Sequence, residues 1–127
     1  MAALFHVKAF SLITGVELSE YRVETSRQLL SMIPVLSQNI VRIHHGNLLD
    51  FDVSASDIVF VSNLCLGKST NEKLQKKLEA ELGGGAVLFL SKQFHAHTSL
   101  DQIGTVDVPM SWSSLHKLYM YTRSDAM

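Results

Sequence analysis

The side chain best placed for chemistry stands just past a short apolar run. Ile58-Val59-Phe60-Val61 breaks off at Ser62-Asn63 and resumes at Leu64. A run without polar alternation suits a strand buried on both faces, as in a parallel sheet. In open α/β sheets the ligand crevice lies outside the carboxyl ends of the strands, which makes Asn63 a candidate site residue. Ser and Asn also end strands for a plainer reason, because their side chains hydrogen-bond the local backbone in turns. This stretch alone supports both readings.

Other reactive side chains form weaker sets. His44-His45 and His95-Ala96-His97, with Asp50 and Asp52, supply metal-ligating types. Their spacing matches no closed ligand set, and neighbours in a strand point to opposite faces, so solvated histidines and no metal are expected. Cys65 has no His or Asp motif directed at it and reads as a small buried hydrophobe. Lys73, Lys76 and Lys77 read as a solvated helix face.

The elements that must position these groups fit one domain, since 127 residues are enough for one core and too few for two. The composition is globular, 46% hydrophobic and 18% charged. Eleven basic residues against twelve acidic ones give a charge of -1, so no basic field exists to hold a nucleic-acid backbone. A single cysteine excludes an internal disulfide and fits a reducing compartment. The apolar start is interrupted by His6 and Lys8, which makes it too short for a membrane span and poor as a signal peptide. A soluble intracellular protein, nuclear or cytoplasmic, is expected.

In chain order, residues 2–10 read as the end of a helix and Ser11–Glu17 as a short strand. Ser19 is a plausible N-cap for a helix from Glu20 to about Met32, ended by Pro34. Ile40–His44 reads as a strand, followed by Gly46-Asn47-Leu48-Leu49-Asp50. After the Ile58 strand, Ser69 and Glu72 resemble a capping box. They would open a helix whose Leu74, Leu78 and Leu82 share one face, terminated by left-handed glycine at Gly83-Gly84-Gly85. Ala86–Leu90 reads as a second buried strand and residues 91–104 as loop or weak helix. Thr105–Met110 and Leu118–Thr122 read as a final antiparallel pair joined through Ser111-Trp112-Ser113-Ser114. This order predicts an α/β fold with a mostly parallel sheet and an antiparallel carboxyl-terminal edge.

Three motifs fall in a telling order: Gly15-Val16-Glu17, then Gly46-Asn47-Leu48-Leu49, then Val61-Ser62-Asn63-Leu64-Cys65-Leu66-Gly67 followed by Asn71-Glu72-Lys73-Leu74. The order resembles the Rossmann-like, class I methyltransferases that use S-adenosylmethionine. In detail it is similar to the non-SET histone-lysine methyltransferases, the disruptor-of-telomeric-silencing family. That pattern has a strand ending Val-Asn-Asn-Phe, a helix opening with Asn and Leu, a strand leading into Ser-x-Lys, and a late Ser-Trp. Ser62-Asn63-Leu64, Asn71 with Leu74, Ser91-Lys92 and Ser111-Trp112 stand at the matching positions.

The resemblance implies S-adenosylmethionine as cofactor and a protein (histone) lysine as acceptor, hence a role on chromatin. Glu17 would accept hydrogen bonds from both ribose hydroxyls; its plainer role is a carboxylate favoured near a helix amino terminus. Asn47 stands where the family usually has Asp facing the adenine amino group, and its amide oxygen can accept the same bond without the charge-assisted gain. Leu48 would lie against the adenine face or simply pack in the core. Asn63 would line the channel where donor and acceptor meet, the catalytic position, where positioning and desolvation carry most of the rate.

The sequence departs from the family at Ser62, Leu64 and Leu66, which replace an Asn and two aromatics. It also holds no glycine-rich turn between a strand and a helix; Gly83-Gly84-Gly85 follows a helix and precedes a strand. The expectation is therefore a carboxyl-terminal part of a catalytic domain, lacking the first strand, that binds cofactor weakly or not at all alone. The alternative is a catalytically silent domain serving as an interaction module or as half of a split enzyme. Either way, self-association or an upstream half should complete the sheet.

Overall fold

The computed structural model describes residues 12–32, 41–64, 66–94, 97–110 and 113–123. The chain divides into two units, Met1–Phe51 and Asp52–Met127.

In the first unit, strands β1 (Ile13–Glu17) and β2 (Val41–His45) pair in parallel, with Ile13 opposite Val41 and Glu17 opposite His45. Gly15 lets the pair pack closely: a Cβ there would stand 3.0 Å from Ile43 Cδ1, and that methyl would have to give way by a few tenths of an ångström. Helix α1 (Glu20–Leu30) starts as its sequence predicts: Ser19 Oγ accepts from Arg22 N at 3.3 Å. Val23 is its buried residue, and Arg27 Nη2 ties the helix to β2 by donating to Ile43 O at 3.1 Å. The helix ends at Leu30, before the expected Met32, with Ser31 N bonded back to Arg27 O. The expected helix over 2–10 and the stop at Pro34 lie outside the described residues.

The second unit is a four-stranded sheet in the order β3-β4-β6-β5, formed by β3 (Ile58–Val61), β4 (Val87–Leu90), β5 (Asp101–Met110) and β6 (Ser113–Thr122). β3 and β4 run parallel; β6 runs antiparallel to β4 and to β5, giving the expected antiparallel edge. Helix α2 (Lys68–Glu81) buries Leu74 and Leu78, and Leu82 is buried just past its end. Each such leucine contributes about 1.5–3 kcal/mol relative to exposure. Leu88, Leu90 and Tyr121 complete this core.

Several expectations need correction here. Gly67, not Ser69, caps α2, with no side-chain hydrogen bond, and Ser69 lies inside the first turn. The helix ends in extended geometry at Leu82, and within Gly83-Gly84-Gly85 positive φ appears only at Gly85, in the turn into β4. Arg123 takes over the carboxyl-terminal cap: Nε donates to Leu82 O at 2.7 Å and Nη2 to Glu79 O, a cation where the helix dipole favours one. Lys73 and Lys76 are exposed as predicted, but Lys77 has a nearly buried side chain paired with Glu81 at 2.7 Å. Strand β3 is not buried on both faces; Val59 and Val61 are buried, whereas Ile58 and Phe60 are each 52% exposed. Finally, β5 begins at Asp101 and β6 at Ser113, both earlier than predicted. Two register shifts, at Gln102/Gly104 and Val108/Met110, break the alternation that would have marked the longer strands. Among the described residues no helix is long and apolar enough to cross a membrane.

Candidate functional site

The first unit brings Glu17, Asn47 and Leu48 to one end of a parallel strand pair. Glu17 closes β1 opposite His45, the last residue of β2, and Gly46 N donates to Glu17 O at 2.9 Å. Asn47 and Leu48 follow at once, Leu48 opening a single 3-10 turn to Asp50. Glu17 is half-buried. Its Oε1 accepts from Ser19 N at 3.1 Å and lies 3.8 Å from Arg22 Nη1, while Oε2 carries no hydrogen bond among the described residues. One carboxylate oxygen thus steadies the start of α1 and the other remains able to accept. Asn47 is exposed, and its Oδ1 caps the 3-10 turn by accepting from Leu49 N at 3.0 Å. That oxygen keeps a second lone pair and the amide keeps its donors. Leu48 is half-buried. His45 turns away from such chemistry: its Nε2–H donates to Leu18 O at 3.0 Å.

Asn63, in the second unit, is buried to 2% exposure and wholly engaged. Its Nδ2 donates to Asn71 Oδ1 and to Lys92 O, both at 3.1 Å. Its Oδ1 accepts from Lys92 N at 2.8 Å and from Ser91 Oγ at 3.1 Å, and its own N–H donates to Ser91 Oγ at 2.9 Å. Asn71 Nδ2 in turn donates to Leu66 O at 2.9 Å. The amide therefore spends both donors and both lone pairs on the chain itself. This network clamps the segment after β3 to the segment after β4 and to the first turns of α2. Every member of such a buried network is satisfied, the condition under which it rigidifies a fold.

A cavity of about 690 Å³ opens beside this clamp. It lies between the segments following β3 and β4 and the first half of β6; Leu64, Lys92, Phe94, His116, Lys117 and Tyr119 are among its lining. Phe94 is fixed there: its N–H donates to Tyr121 Oη at 3.2 Å, and its ring meets that of Tyr121 at 4.8 Å. Burial raises the Tyr121 hydroxyl above its ordinary pKa, against the Phe94 N–H bond, so it stays protonated. His116 Nε2–H donates to Ser91 O at 3.0 Å. Ser91 and Lys92 carry a matching motif in the sequence, but their service to Asn63 does not show there. Phe94, His116, Lys117 and Tyr119 give no local signal at all; only the β4–β6 pairing assembles them. Cys65, His95, Ser111 and Trp112 lie outside the described residues. Among those described, no group of three metal-ligating side chains gathers.

No known family model matches the sequence, and no curated protein matches it. Solved structures do. An RNA methyltransferase from Salinibacter ruber, in complex with S-adenosyl-L-homocysteine, superposes at a TM-score of 0.68 with 20% identity, over 90% of this chain and 67% of that one. The putative methyltransferase yhhF from Escherichia coli gives 0.65 and 15% identity, over 91% of this chain and 64% of that one. The glycopeptide N-methyltransferase MtfA with S-adenosyl-L-homocysteine gives 0.58 and 16% identity, over 94% and 51%. The chain thus spans about half to two-thirds of these proteins, and over that span its α/β fold is the Rossmann-like methyltransferase fold.

Proposed function

We propose that this chain takes part in S-adenosylmethionine-dependent methyl transfer. One observation supports the reading above the others: Glu17, with one carboxylate oxygen unpaired, stands beside Asn47-Leu48 at the carboxyl ends of two adjacent parallel strands. An acidic group there suits ribose hydroxyls, and an amide followed by an apolar side chain suits adenine. The cofactor, when bound, supplies a methyl group on a sulfonium. The chain's own residues hold the adenosine end, and the Asn63 clamp fixes the segments around the second unit's cavity. Asn63 acts in this reading as a positioning residue, since its amide has no bonding capacity left for a substrate.

The sequence motifs favour a protein lysine as acceptor. The solved neighbours named above include an RNA methyltransferase and a glycopeptide N-methyltransferase. Protein lysine and RNA differ in charge, and Lys92 and Lys117 are among the residues that line the second unit's cavity. A second reading, the silent interaction module, draws on the same saturated Asn63 amide, which is what a purely structural residue would show.

Calorimetric titration with S-adenosylhomocysteine and with adenosine separates the two readings. The 127 residues contain no glycine-rich strand-to-helix turn to meet the cofactor's amino-acid end. Each missing hydrogen bond to a charged group is worth roughly 1.5–3 kcal/mol, so affinity should be weak and nearly equal for the two ligands. Glu17→Ala should remove it. No binding of either ligand at millimolar concentration would leave the silent module standing; submicromolar binding would show that other donors complete the site.

A further inference from the structure

We infer that the cavity beside the Asn63 clamp binds a nucleotide, a planar base with its phosphate, as the recognised end of the methyl acceptor. This rests on the methyltransferase reading. Lys92 and Lys117 both line the cavity, and among the described residues no carboxylate does. Neither ammonium has an ion-pair partner among the described residues. Asp107 stands opposite Lys117 across the β5–β6 pair, so the charge at the cavity is two ammoniums with one carboxylate beside them, and not a basic field. It suits one or two phosphates and not a long backbone track.

The apolar part of the lining is ringed. Phe94 and Tyr119 contribute to the wall, and Phe94 is held by both its N–H and its ring contact with Tyr121. Aromatic walls with adjacent cations are how single bases are held irrespective of sequence. The site is an open depression with Lys92, Gln93 and Lys117 exposed at it, so it would seat one side of a small molecule and not enclose it. The position agrees as well, since the opening is at the carboxyl ends of the parallel pair β3–β4, where open α/β sheets place ligands. A lysine-containing peptide fares worse here, because in its protonated form it would meet two exposed side chains of like charge.

The test is a titration of the ¹⁵N-labelled chain with uridine 5′-monophosphate, uridine, a short oligouridylate and a lysine-containing peptide. A pyrimidine is chosen to avoid the adenosine residues of the first unit. The monophosphate should shift the amides of Lys92, Phe94 and Lys117, and uridine should bind on the order of tenfold more weakly. Lys92→Glu with Lys117→Glu should abolish the shifts, and the Gln pair should weaken them should charge reversal disturb the fold. Glu17→Ala should leave them intact. An oligouridylate tighter than the monophosphate supports the inference with RNA as the source, and equal affinity supports it with a free nucleotide. Shifts elsewhere, undiminished binding by the folded charge-reversed chain, or a response to the lysine peptide alone would overturn it. Retained uridine monophosphate binding in a chain that ignores S-adenosylhomocysteine would instead overturn the cofactor reading alone.

Discussion

Among the described residues, fourteen apolar side chains are buried, and only Val23 and Val41 of these belong to the first unit. The other twelve, from Val53 to Tyr121, belong to the second, together with the buried polar residues Asn63, Gln75 and Ser91. The described residues of the first unit form a parallel strand pair and one helix; those of the second form a four-stranded sheet whose helix is anchored at Leu74, Leu78 and Leu82. The proposed adenosine residues therefore stand in the first unit and the cavity in the second. Recognition of cofactor and of acceptor should then respond differently to loss of stability.

The sharpest contrast is in the cores. Leu78 is completely buried, and Leu78→Ala should cost about 2–5 kcal/mol, close to the whole stability of a small unit. Val23→Ala removes less apolar volume and should cost roughly 1–2 kcal/mol. Denaturant melts of both variants, followed by amide signals from each unit, check this. Equal losses, or loss of first-unit signals with Leu78→Ala alone, would show that the two units unfold as one.

Next comes the clamp. Asn63→Ala leaves the Ser91 O–H and the Lys92 N–H without their acceptor and Asn71 Oδ1 and Lys92 O without their donor, and each unsatisfied buried group costs about 1–3 kcal/mol. A net loss of roughly 2–4 kcal/mol is expected, allowing for water entry into the vacated space. The same variant should weaken nucleotide binding at the cavity while leaving S-adenosylhomocysteine binding unchanged. A stable, unaltered Asn63→Ala chain would mean that the segments after β3 and β4 are held by other contacts.

A smaller effect is expected at acid pH. Burial opposes ionisation of Glu79, but hydrogen bonds from Thr98, from Ser99 N at 3.1 Å and from Gln75 outweigh it and hold the carboxyl below its ordinary 4.5. The folded value lies below the unfolded one, so the stabilisation is complete above about pH 4.5 and fades as pH falls through the folded value. Glu79→Gln should flatten that acid limb in the second unit. A Gln variant with an unchanged acid profile would assign the limb to other carboxylates.

Sequence revealed the elements of this fold better than their ends. Ser19 announced its helix because an N-cap is a local hydrogen bond. Gly67 gave no such warning, since it caps α2 without a side-chain bond. The apolar run Ile58–Val61 fitted a two-sided burial that only its neighbours could supply, and the described structure covers one face. Candidate residues followed the same rule. Glu17 and Asn47 were legible because strand ends and turns are local, whereas the inward commitment of Asn63 depends on Ser91 and Lys92, 28 and 29 residues away. The cavity lining depends on β-pairing across the sheet, beyond any motif.

The two edges of the second sheet offer the last comparison. On one side, β5 carries Asp101, Asp107 and Pro109, and two register shifts break its ladder, all of which discourage a further strand. On the other, β3 presents Ile58-Val59-Phe60-Val61 without a charge, a proline or a register shift, pairs only with β4 among the described residues, and leaves Ile58 and Phe60 52% exposed. Unpaired N–H and C=O groups beside exposed apolar side chains form a template for another strand. We propose that a strand from a second copy, or from a longer form of this protein, covers β3 and not β5. Phe60→Lys places a charge on that edge at an exposed site, so stability should change by no more than about 0.5 kcal/mol. Its effect should be on association: light scattering should show the wild-type chain gaining mass with concentration and the Lys variant remaining a monomer. A charge introduced on the β5 edge, as in Thr105→Lys, should leave association as it was. A wild-type chain that stays a compact monomer at high concentration would show that β3 needs no partner, and that its exposed Phe60 is tolerated as ordinary apolar surface.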